Sequence, residues 1–321
     1  MELYDIIVIG AGPCGLSCGI EAGLRKKTCL IIDQGSIAES IRRYPLNMIF
    51  FSTAENLEIG KVPFVSMGPR PTRTEALKYY HKVATHYNLN LQLFTRITCV
   101  EHTGHEFILS SGQGNFRCRH LILATGYYDI PRYLDIPGED LPHVSHYYDE
   151  AFRYARMNVV VVGGANSAIE TALDLYRNHA RVCLVHIEEA PDTRVKYWIL
   201  PDLLNRIKNG EITAHFRNRV LRIQPKSLDI ENIDTGKVDT LPADFVFLMT
   251  GYRPDAEFLR SAGVLLEGPN LIPKIDPKTF ASNIRGLYLA GSVVGGEETA
   301  KIFIENGRHH AQAILDHICS L

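Results

Sequence analysis

The chain has 321 residues, which is enough for about two domains of ordinary size. Its composition is 45% hydrophobic and 22% charged, and its formal net charge of −2 gives no overall basic field for nucleic acid or anionic membranes. No apolar run approaches the ~20 residues of a membrane span, and the first residues lack the pattern of a secretory signal. We therefore expect neither nucleic-acid nor membrane partners.

The seven cysteines carry information about the cellular compartment. Their number is odd, and no two are spaced as Cys-x-x-Cys. This pattern argues against a disulfide framework and against a zinc site. We therefore expect a protein of the reducing cytoplasm with no metal site.

Short apolar runs alternate with helical patterns along the chain, which is typical of parallel strands joined by helices. The order strand, helix, strand is predicted twice, at 5–9, 13–24 and 28–32 and again at 158–162, 166–178 and 181–186. Two such repeats predict an α/β protein with two Rossmann-like dinucleotide-binding domains.

Two apolar runs end in the same dipeptide, at Thr125-Gly126 and at Thr250-Gly251. The whole second repeat lies between these ends, so we predict that the second domain is inserted into the first. The predicted boundaries are 1–120 and 248–321 for the first domain and 121–247 for the second.

The first candidate site is Gly10-Ala11-Gly12-Pro13-Cys14-Gly15, which follows a predicted strand and opens a predicted helix. Gly10 allows a tight turn, Gly12 lets a pyrophosphate approach the backbone, and Gly15 lets the helix pack closely. Asp33 closes the next strand and can accept hydrogen bonds from a ribose diol. Together these features predict a dinucleotide site, with Pro13 at the start of the helix that faces it.

The second candidate site is Gly163-Gly164-Ala165-Asn166-Ser167-Ala168, again between a predicted strand and a predicted helix. Ala165 stands where the motif usually has a glycine, so its methyl group reduces the clearance for a pyrophosphate. Ser167 and the helix N-terminus can still donate to phosphate. The candidate contacts are Gly163, Gly164, Asn166, Ser167 and Ala168. A vestigial domain that binds no nucleotide is the alternative.

Opposing charges follow the second strand of this domain. Glu188 favours the free 2′-hydroxyl of NADH, whereas Arg194 and Lys196 can attract the 2′-phosphate of NADPH. Solvated surface charges are the alternative for all three residues. We predict modest discrimination between the two nucleotides, with NADPH favoured.

The C-terminal block contains a predicted strand end at Gly291, a turn from Ser292, and one long helix over 298–318. A helix N-terminus that faced a flavin ring would stabilise its anionic reduced form, while a helix that only closes the domain is the alternative. Gly291 and Ser292 are therefore candidate cofactor contacts, together with Gly126 at the end of the first Thr-Gly strand.

Several segments together resemble the bacillithiol-disulfide reductase family, a branch of the thioredoxin-reductase-like flavoproteins. They cover most of the chain and lie at 12–15, 50–53, 57–60, 62–64, 71–73, 75–77, 164–168, 195–198, 201–202 and 301–308. The resemblance implies FAD in the first domain and NADPH in the second, with reduction of the bacillithiol disulfide. It also implies Cys14 as the redox residue, Lys301 and Ile302 as cofactor contacts, and a homodimer.

The chain departs from the family pattern at two positions. Ile187 and Glu188 stand where an Arg-Gly pair is usual, which weakens the implied preference for NADPH. Ser292 replaces an aspartate of the wider relatives. In addition, residues 143–149 contain no cysteine where thioredoxin reductases have Cys-x-x-Cys, so a dithiol relay to thioredoxin by that route is excluded.

The main prediction is an FAD-dependent NAD(P)H disulfide reductase. A ferredoxin or quinone electron-transfer flavoprotein, a flavin monooxygenase and a nucleotide sensor are the alternatives. At Cys14 the helix N-terminus would lower the thiol pKa, while a bound pyrophosphate would repel the thiolate, so we expect a reactive but not strongly acidic thiol. Simple packing is the alternative for Cys14, and Cys18 is expected in the core.

Overall fold

The structure is a computed structural model that describes residues 2–321. The chain forms two compact units, one of residues 2–42, 48–130 and 252–321 and the other of residues 43–47 and 131–251. The second unit therefore interrupts the first, in agreement with the predicted fold class.

Helices account for much of both units, and within residues 2–321 none combines the length and apolar character that a bilayer crossing requires. The α-helices are α1 (Pro13–Leu24), α2 (Glu39–Arg42), α3 (Arg73–His86), α4 (Asn166–Arg177), α5 (Leu200–Lys208), α6 (Ala256–Ser261), α7 (Ile304–Gly307) and α8 (His310–Ser320). Three short 3₁₀ turns occupy Ala54–Leu57, Phe152–Tyr154 and Gly291–Gly295.

The strands belong to several sheets. They are β1 (Leu3–Ile9), β2 (Cys29–Ile32), β3 (Leu91–Gln92), β4 (Ile97–His102), β5 (Phe107–Ser111), β6 (Gly114–Leu123), β7 (Ile130–Pro131), β8 (Val144–Ser145), β9 (Asn158–Val162), β10 (Arg181–His186), β11 (Thr213–Phe216), β12 (Asn218–Gln224), β13 (Ser227–Asn232), β14 (Val238–Pro242), β15 (Phe245–Leu248), β16 (Tyr252–Arg253), β17 (Leu266–Glu267), β18 (Ile272–Pro273) and β19 (Leu287–Leu289).

The first unit is built on a sheet with the order β3-β2-β1-β6-β5-β4, and β19 pairs with β6. β1 is parallel to both β2 and β6, and β19 is parallel to β6. Residues 6–9 of β1 form one buried apolar run, as expected for a parallel strand covered on both faces. Because parallel strands end at the same edge, the segments after β1, β6 and β19 meet there.

The second unit is built on a parallel sheet with the order β11-β10-β9-β15-β8. Side chains of β9 alternate between its two faces. Val159 and Val161 lie in the core that contains residues of α4 and α5. Val160 and Val162 lie in the core that contains residues of the antiparallel sheet β12-β13-β14. The apolar run 159–162 is thus buried on both sides.

The division into units differs from the predicted boundaries at 120/121 and 247/248. Residues 121–123 complete β6 and pair with residues 7–9 of β1, which places them in the first unit. Residues 245–248 of β15 pair with β9, and the second unit continues to residue 251. Strand pairing, rather than the end of an apolar run, decides where each unit stops.

The prediction of one helix over 298–318 is wrong, because this segment contains the separate helices α7 and α8. The backbone N–H of Phe303 donates to Asn306 Oδ1 at 2.7 Å, and α7 begins only at Ile304. Ile302 lies before α7 and packs beside Gly295 in the preceding turn. With four residues, α7 is too short for the expected effect of a helix N-terminus on a flavin ring.

Candidate functional site

The first glycine segment forms a tight crossing between β1 and α1. A Cβ atom on Gly10 would lie 2.3 Å from the carbonyl oxygen of Ala124, and one on Gly15 would lie 1.9 Å from that of Gly10. A Cβ atom on Gly12, by contrast, would meet nothing within 4 Å. Pro13 opens α1 directly after it. The backbone is therefore tightly packed at Gly10 and Gly15 and open at Gly12, at the start of the helix. This arrangement fits a pyrophosphate group.

Asp33 joins the end of β2 to this glycine segment. Its Oδ2 accepts a hydrogen bond from the backbone N–H of Ala11 at 2.6 Å, and its Oδ1 accepts one from Gly35 at 2.7 Å. Burial raises the pKa of the Asp33 carboxyl. A carboxylate has about four lone-pair positions, so two remain to accept hydrogen bonds from a ribose diol.

The segments after β6 and β19 bring Gly126 and Ser292 together. A Cβ atom on Gly126 would lie 3.8 Å from the Oγ atom of Ser292. Gly126 and Gly291 have φ values of +70° and +77°, which a residue with a side chain adopts only at a cost. Three of the predicted cofactor residues thus lie at one sheet edge, beside the glycine segment.

Cys14 lies in the first turn of α1 against two glycines of the C-terminal segment. A Cβ atom on Gly291 or on Gly307 would lie 2.9 Å from the Cys14 Sγ atom. Burial raises the pKa of the Cys14 thiol to about 12. The expected lowering by the helix N-terminus is therefore outweighed by desolvation, and the thiol is protonated at neutral pH.

His310 is a residue of this region that the sequence did not single out. Its Nδ1 accepts a hydrogen bond from the backbone N–H of Gly291 at 3.2 Å. The ring stacks on Phe280 with centroids 4.0 Å apart. Burial lowers the pKa of His310 to about 4, so the ring is neutral and remains an acceptor. Polar residues in a helical pattern are usually assigned to the surface, which hides such a role.

The other six thiols differ in burial, from the fully buried Cys18 to the exposed Cys99 and Cys319. Cys18 is fully buried in α1, so its assignment to the core is confirmed. All seven cysteines are free.

Lys301 and Ile302, which the family resemblance implied as cofactor contacts, lie just before α7. Lys301 is exposed and pairs with Glu298. A Cβ atom on Gly307 would lie 3.4 Å from Ile302 Cγ2, so Ile302 shares a neighbour with Cys14.

The second glycine segment makes a similar crossing between β9 and α4. A Cβ atom on Gly163 would lie 2.5 Å from the carbonyl oxygen of Met249 and 3.2 Å from the Cβ atom of Ala168. Ala165 and Ser167 are both exposed. The start of α4 is therefore accessible, and the Ser167 hydroxyl can donate to a phosphate there.

Asn166 ties the loop after β10 to α4. Its Oδ1 accepts a hydrogen bond from the backbone N–H of Lys196 at 2.8 Å, and its Nδ2 donates to the carbonyl oxygen of Arg194 at 3.2 Å. The ring of His186 covers Gly164, where a Cβ atom would lie 2.2 Å from Nε2. The structure thus brings the predicted residues together, but the side chain of Asn166 is already hydrogen-bonded to the loop after β10.

The charged side chains of this loop are also paired. Arg194 pairs with Asp192, and Lys196 pairs with Glu170, each at 2.5 Å. Neither acidic partner was singled out in the sequence. Glu170 is far from Lys196 in the sequence, because most of α4 and all of β10 lie between them, so their pairing could not be predicted from the sequence. Asp192 is only two residues before Arg194, so this pair could have been predicted from the spacing of the charges.

The chain is similar to known pyridine-nucleotide-dependent reductases. The pyridine nucleotide-disulphide oxidoreductase family matches residues 7–291. The bacilliredoxin reductase Bdr of Bacillus subtilis is 37% identical over 97% of this chain and 96% of its own. A ferredoxin–NADP reductase of Lysinibacillus sphaericus is 25% identical over 91% of this chain and 82% of its own.

Among solved structures, the bacillithiol disulfide reductase Bdr of Staphylococcus aureus superposes with a TM-score of 0.97. It is 36% identical, and the match covers 100% of this chain and 99% of that one. The chain therefore belongs to the pyridine nucleotide-disulphide oxidoreductases and, within them, to the family of the bacillithiol-disulfide reductases, as its sequence motifs predict.

Proposed function

We propose that this protein uses FAD and a reduced nicotinamide nucleotide to reduce the disulfide of a low-molecular-weight thiol of the bacillithiol type. The observation that carries the proposal is the position of Cys14. Its thiol lies in the first turn of the helix that opens the glycine segment, held against Gly291 and Gly307. A thiol at that point is next to the residues that fit the cofactor.

The residues present fit both nucleotides, because each glycine segment is packed against a strand and leaves a helix start accessible. When bound, FAD supplies two-electron chemistry, taking a hydride from the nicotinamide and passing electrons to a disulfide. The residues proposed to hold FAD are Gly10, Gly12, Pro13, Gly15, Asp33, Gly126, Gly291, Ser292, Lys301 and Ile302. Those proposed for the nicotinamide nucleotide are Gly163, Gly164, Asn166, Ser167 and Ala168.

The Cys14 thiol must lose its proton before it can act as a nucleophile, because the thiolate is the reactive form. Its sulfur then attacks one sulfur of the disulfide, which forms a mixed disulfide and releases one thiolate. The proton from Cys14 can pass to that thiolate. Two electrons and two protons then release the second thiol and restore Cys14, and the reduced nucleotide is the source of the electrons.

The names of the relatives point to two kinds of acceptor, a bacilliredoxin for one and bacillithiol disulfide for the other. We favour the small disulfide, because Cys14 is only partly exposed and its sulfur is held against two backbone segments. A small molecule needs less room at such a thiol than a folded protein does.

The test compares Cys14→Ala with Cys99→Ala, which removes an exposed thiol far along the chain. FAD content and anaerobic bleaching of the flavin by NADH or NADPH are measured first, followed by oxidation of the nucleotide with bacillithiol disulfide. We expect Cys14→Ala to keep FAD and bleaching while disulfide reduction falls by about 100-fold or more. Unchanged disulfide reduction in Cys14→Ala would contradict the role of Cys14.

A second candidate function is thiol-independent electron transfer to a ferredoxin or quinone. The raised pKa of Cys14, about 12 because of burial, favours it, since a protonated thiol is a poor nucleophile. In the same experiment, this function predicts that Cys14→Ala matches the wild type. It also predicts that ferredoxin or quinone is reduced faster than any disulfide.

A further inference from the structure

The end of β10 carries more negative than positive charge. In a dinucleotide-binding unit, the residues after this strand contact the adenosine ribose, where NADH has a 2′-hydroxyl and NADPH a 2′-phosphate. Glu188 and Glu189 are exposed two and three residues after the end of the strand. Burial lowers the pKa of His186, which ends β10, whereas Glu188 and Asp192 act to raise it. Both carboxylates are therefore close to the strand end.

Arg194, the first cation of the loop, is already bound to a carboxylate. Its Nε lies 3.0 Å from Asp192 Oδ1, and its Nη2 lies 2.5 Å from Asp192 Oδ2. The backbone N–H of Arg194 also donates to Asp192 Oδ1 at 2.8 Å. These hydrogen bonds lower the pKa of Asp192 to about 2, so the carboxylate is ionised and the pair is neutral, although the Arg194 side chain is 71% exposed. This two-point contact is the one that Arg would otherwise make to a phosphate.

Lys196, the second cation, is directed away from solvent. Its side chain is 5% exposed, and its Nζ lies 2.5 Å from Glu170 Oε1 on α4. Its backbone N–H donates to Asn166 Oδ1, which also fixes the position of the Lys196 backbone. A 2′-phosphate would have to compete with Glu170 for an ammonium that is already buried.

The next cation along this edge, Arg217, is paired too. Its backbone N–H donates to the carbonyl oxygen of Glu188 at 3.0 Å, so it lies beside the strand end. Its guanidinium binds Asp234, with Nε 3.0 Å from Oδ2. The three nearby cations are thus each matched by an acidic side chain, and Glu188 and Glu189 add negative charge.

We propose that this strand end selects a free 2′-hydroxyl, so that NADH is the electron donor, in contrast to the preference for NADPH predicted from the sequence. Asp192 determines this specificity by occupying Arg194. A 2′-phosphate brings close to two negative charges to a region that is already negative. The 2′-hydroxyl of NADH instead donates to a carboxylate such as Glu188. The inference rests on the nucleotide-binding role of this unit in the proposed function.

The test measures dissociation constants of the flavin-loaded protein for NAD⁺ and NADP⁺ by isothermal titration calorimetry, without turnover. The emission of Trp198, the single tryptophan of the chain and a neighbour of Lys196, provides a second readout. We expect the wild type to bind NAD⁺ about tenfold or more tightly than NADP⁺. Asp192→Asn, which releases Arg194, should bind NADP⁺ about tenfold more tightly than the wild type and NAD⁺ about as before.

Asp239→Asn is the matched control, because it makes the same charge change in an exposed pair with Lys237 of the same unit. It should leave both dissociation constants unchanged. The variant Glu188→Gln removes a second negative charge and should also favour NADP⁺, so the proposal does not depend on one substitution. Far-ultraviolet circular dichroism checks that each variant is folded.

Tighter binding of NADP⁺ than of NAD⁺ by the wild type would overturn this inference alone, because the unit would still bind a nicotinamide nucleotide. The same NAD⁺ to NADP⁺ ratio in the wild type, Asp192→Asn and Glu188→Gln would also overturn it. Binding of neither nucleotide by the wild type would overturn the proposed function together with the inference.

Discussion

The Sγ atom of Cys14 lies so close to Gly291 that a Cβ atom on this glycine would be 2.9 Å away. The backbone N–H of Gly291 in turn donates to His310 Nδ1. Cys14, Gly291 and His310 therefore form a chain of contacts through α1, the turn after β19 and α8.

Gly307→Ala tests this packing, because the added methyl group would lie 2.9 Å from Cys14 Sγ and 3.1 Å from the Cα atom of Gly291. We expect the free energy of unfolding to fall by about 1–3 kcal/mol, as for other overpacked sites. Urea denaturation measures it. Adding Cys14→Ala removes the sulfur and should recover part of the loss, which a double-mutant cycle quantifies.

Gly23→Ala is the control for that substitution. Gly23 is exposed in α1, and a Cβ atom there would meet nothing within 4 Å. It should gain about 0.5–1 kcal/mol of stability from the higher helix propensity of alanine. If Gly23→Ala and Gly307→Ala changed the free energy of unfolding equally, the contact with Cys14 would not be what destabilises Gly307→Ala.

His310 predicts a specific dependence of stability on pH. Burial lowers the pKa of His310 from 6.5 to about 4. A base whose folded pKa is depressed stabilises the fold above its unfolded pKa, and this contribution is lost as the pH falls through the folded pKa. Between pH 7 and pH 4 the wild type should lose about 3 kcal/mol more than His310→Asn, which keeps an acceptor but does not titrate.

The measurement for His310 is urea denaturation at several pH values between 4 and 8. Parallel curves of unfolding free energy against pH for the wild type and His310→Asn would contradict the prediction. A difference that grows only above pH 7 would contradict its direction.

Asp33 predicts which flavin the protein carries. FMN lacks the adenosine ribose that we propose the Asp33 carboxylate binds, so heat-released flavin should be FAD by mass spectrometry. Asp33→Ala also leaves the N–H groups of Ala11 and Gly35 without their acceptor, at about 1–3 kcal/mol each. We expect its FAD content to fall about tenfold or more.

The control for the flavin experiment is Asp316→Ala, which removes an exposed carboxylate paired with Arg25 of the same unit. This variant should purify with a full complement of FAD. Release of FMN from the wild type, or full FAD content in Asp33→Ala, would refute the assignment.

The pair of Glu170 and Lys196 predicts unequal effects of its two single substitutions. Glu170→Gln leaves a buried ammonium without its carboxylate, whereas Lys196→Met removes the buried charge itself. We expect Glu170→Gln to lower the free energy of unfolding by about 2 kcal/mol, and Lys196→Met by less. Combining both should restore most of the stability.

Nucleotide binding by Lys196→Met adds a second readout. If the buried ammonium does not contact a 2′-phosphate, the substitution should raise the dissociation constants for NAD⁺ and NADP⁺ by similar factors. A selective loss of NADP⁺ affinity would show that Lys196 contacts the phosphate despite its pairing with Glu170.

The elements around the glycine segments could be predicted from the sequence. Helix α1 has the predicted bounds of 13–24, and β9 and β10 have those predicted for 158–162 and 181–186. The glycines, the apolar runs and the helix starts are local features, so their spacing suffices. The C-terminal segment could not be predicted in this way, because Ile302 packs in a turn while the same apolar spacing continues into α8.

The sequence by itself determined that two dinucleotide-binding units are present, because close crossing of a strand and a helix requires glycine at fixed local positions such as Gly10 and Gly15. Only the tertiary structure decided the burial of Cys14 and the ion pairing of Lys196. The pKa of the Cys14 thiol is raised by burial against Gly291 and Gly307, which are distant from it in the chain. Lys196 is paired because folding brings Glu170 to it. Desolvation and ion pairing depend on distances in space, which spacing along the chain does not contain.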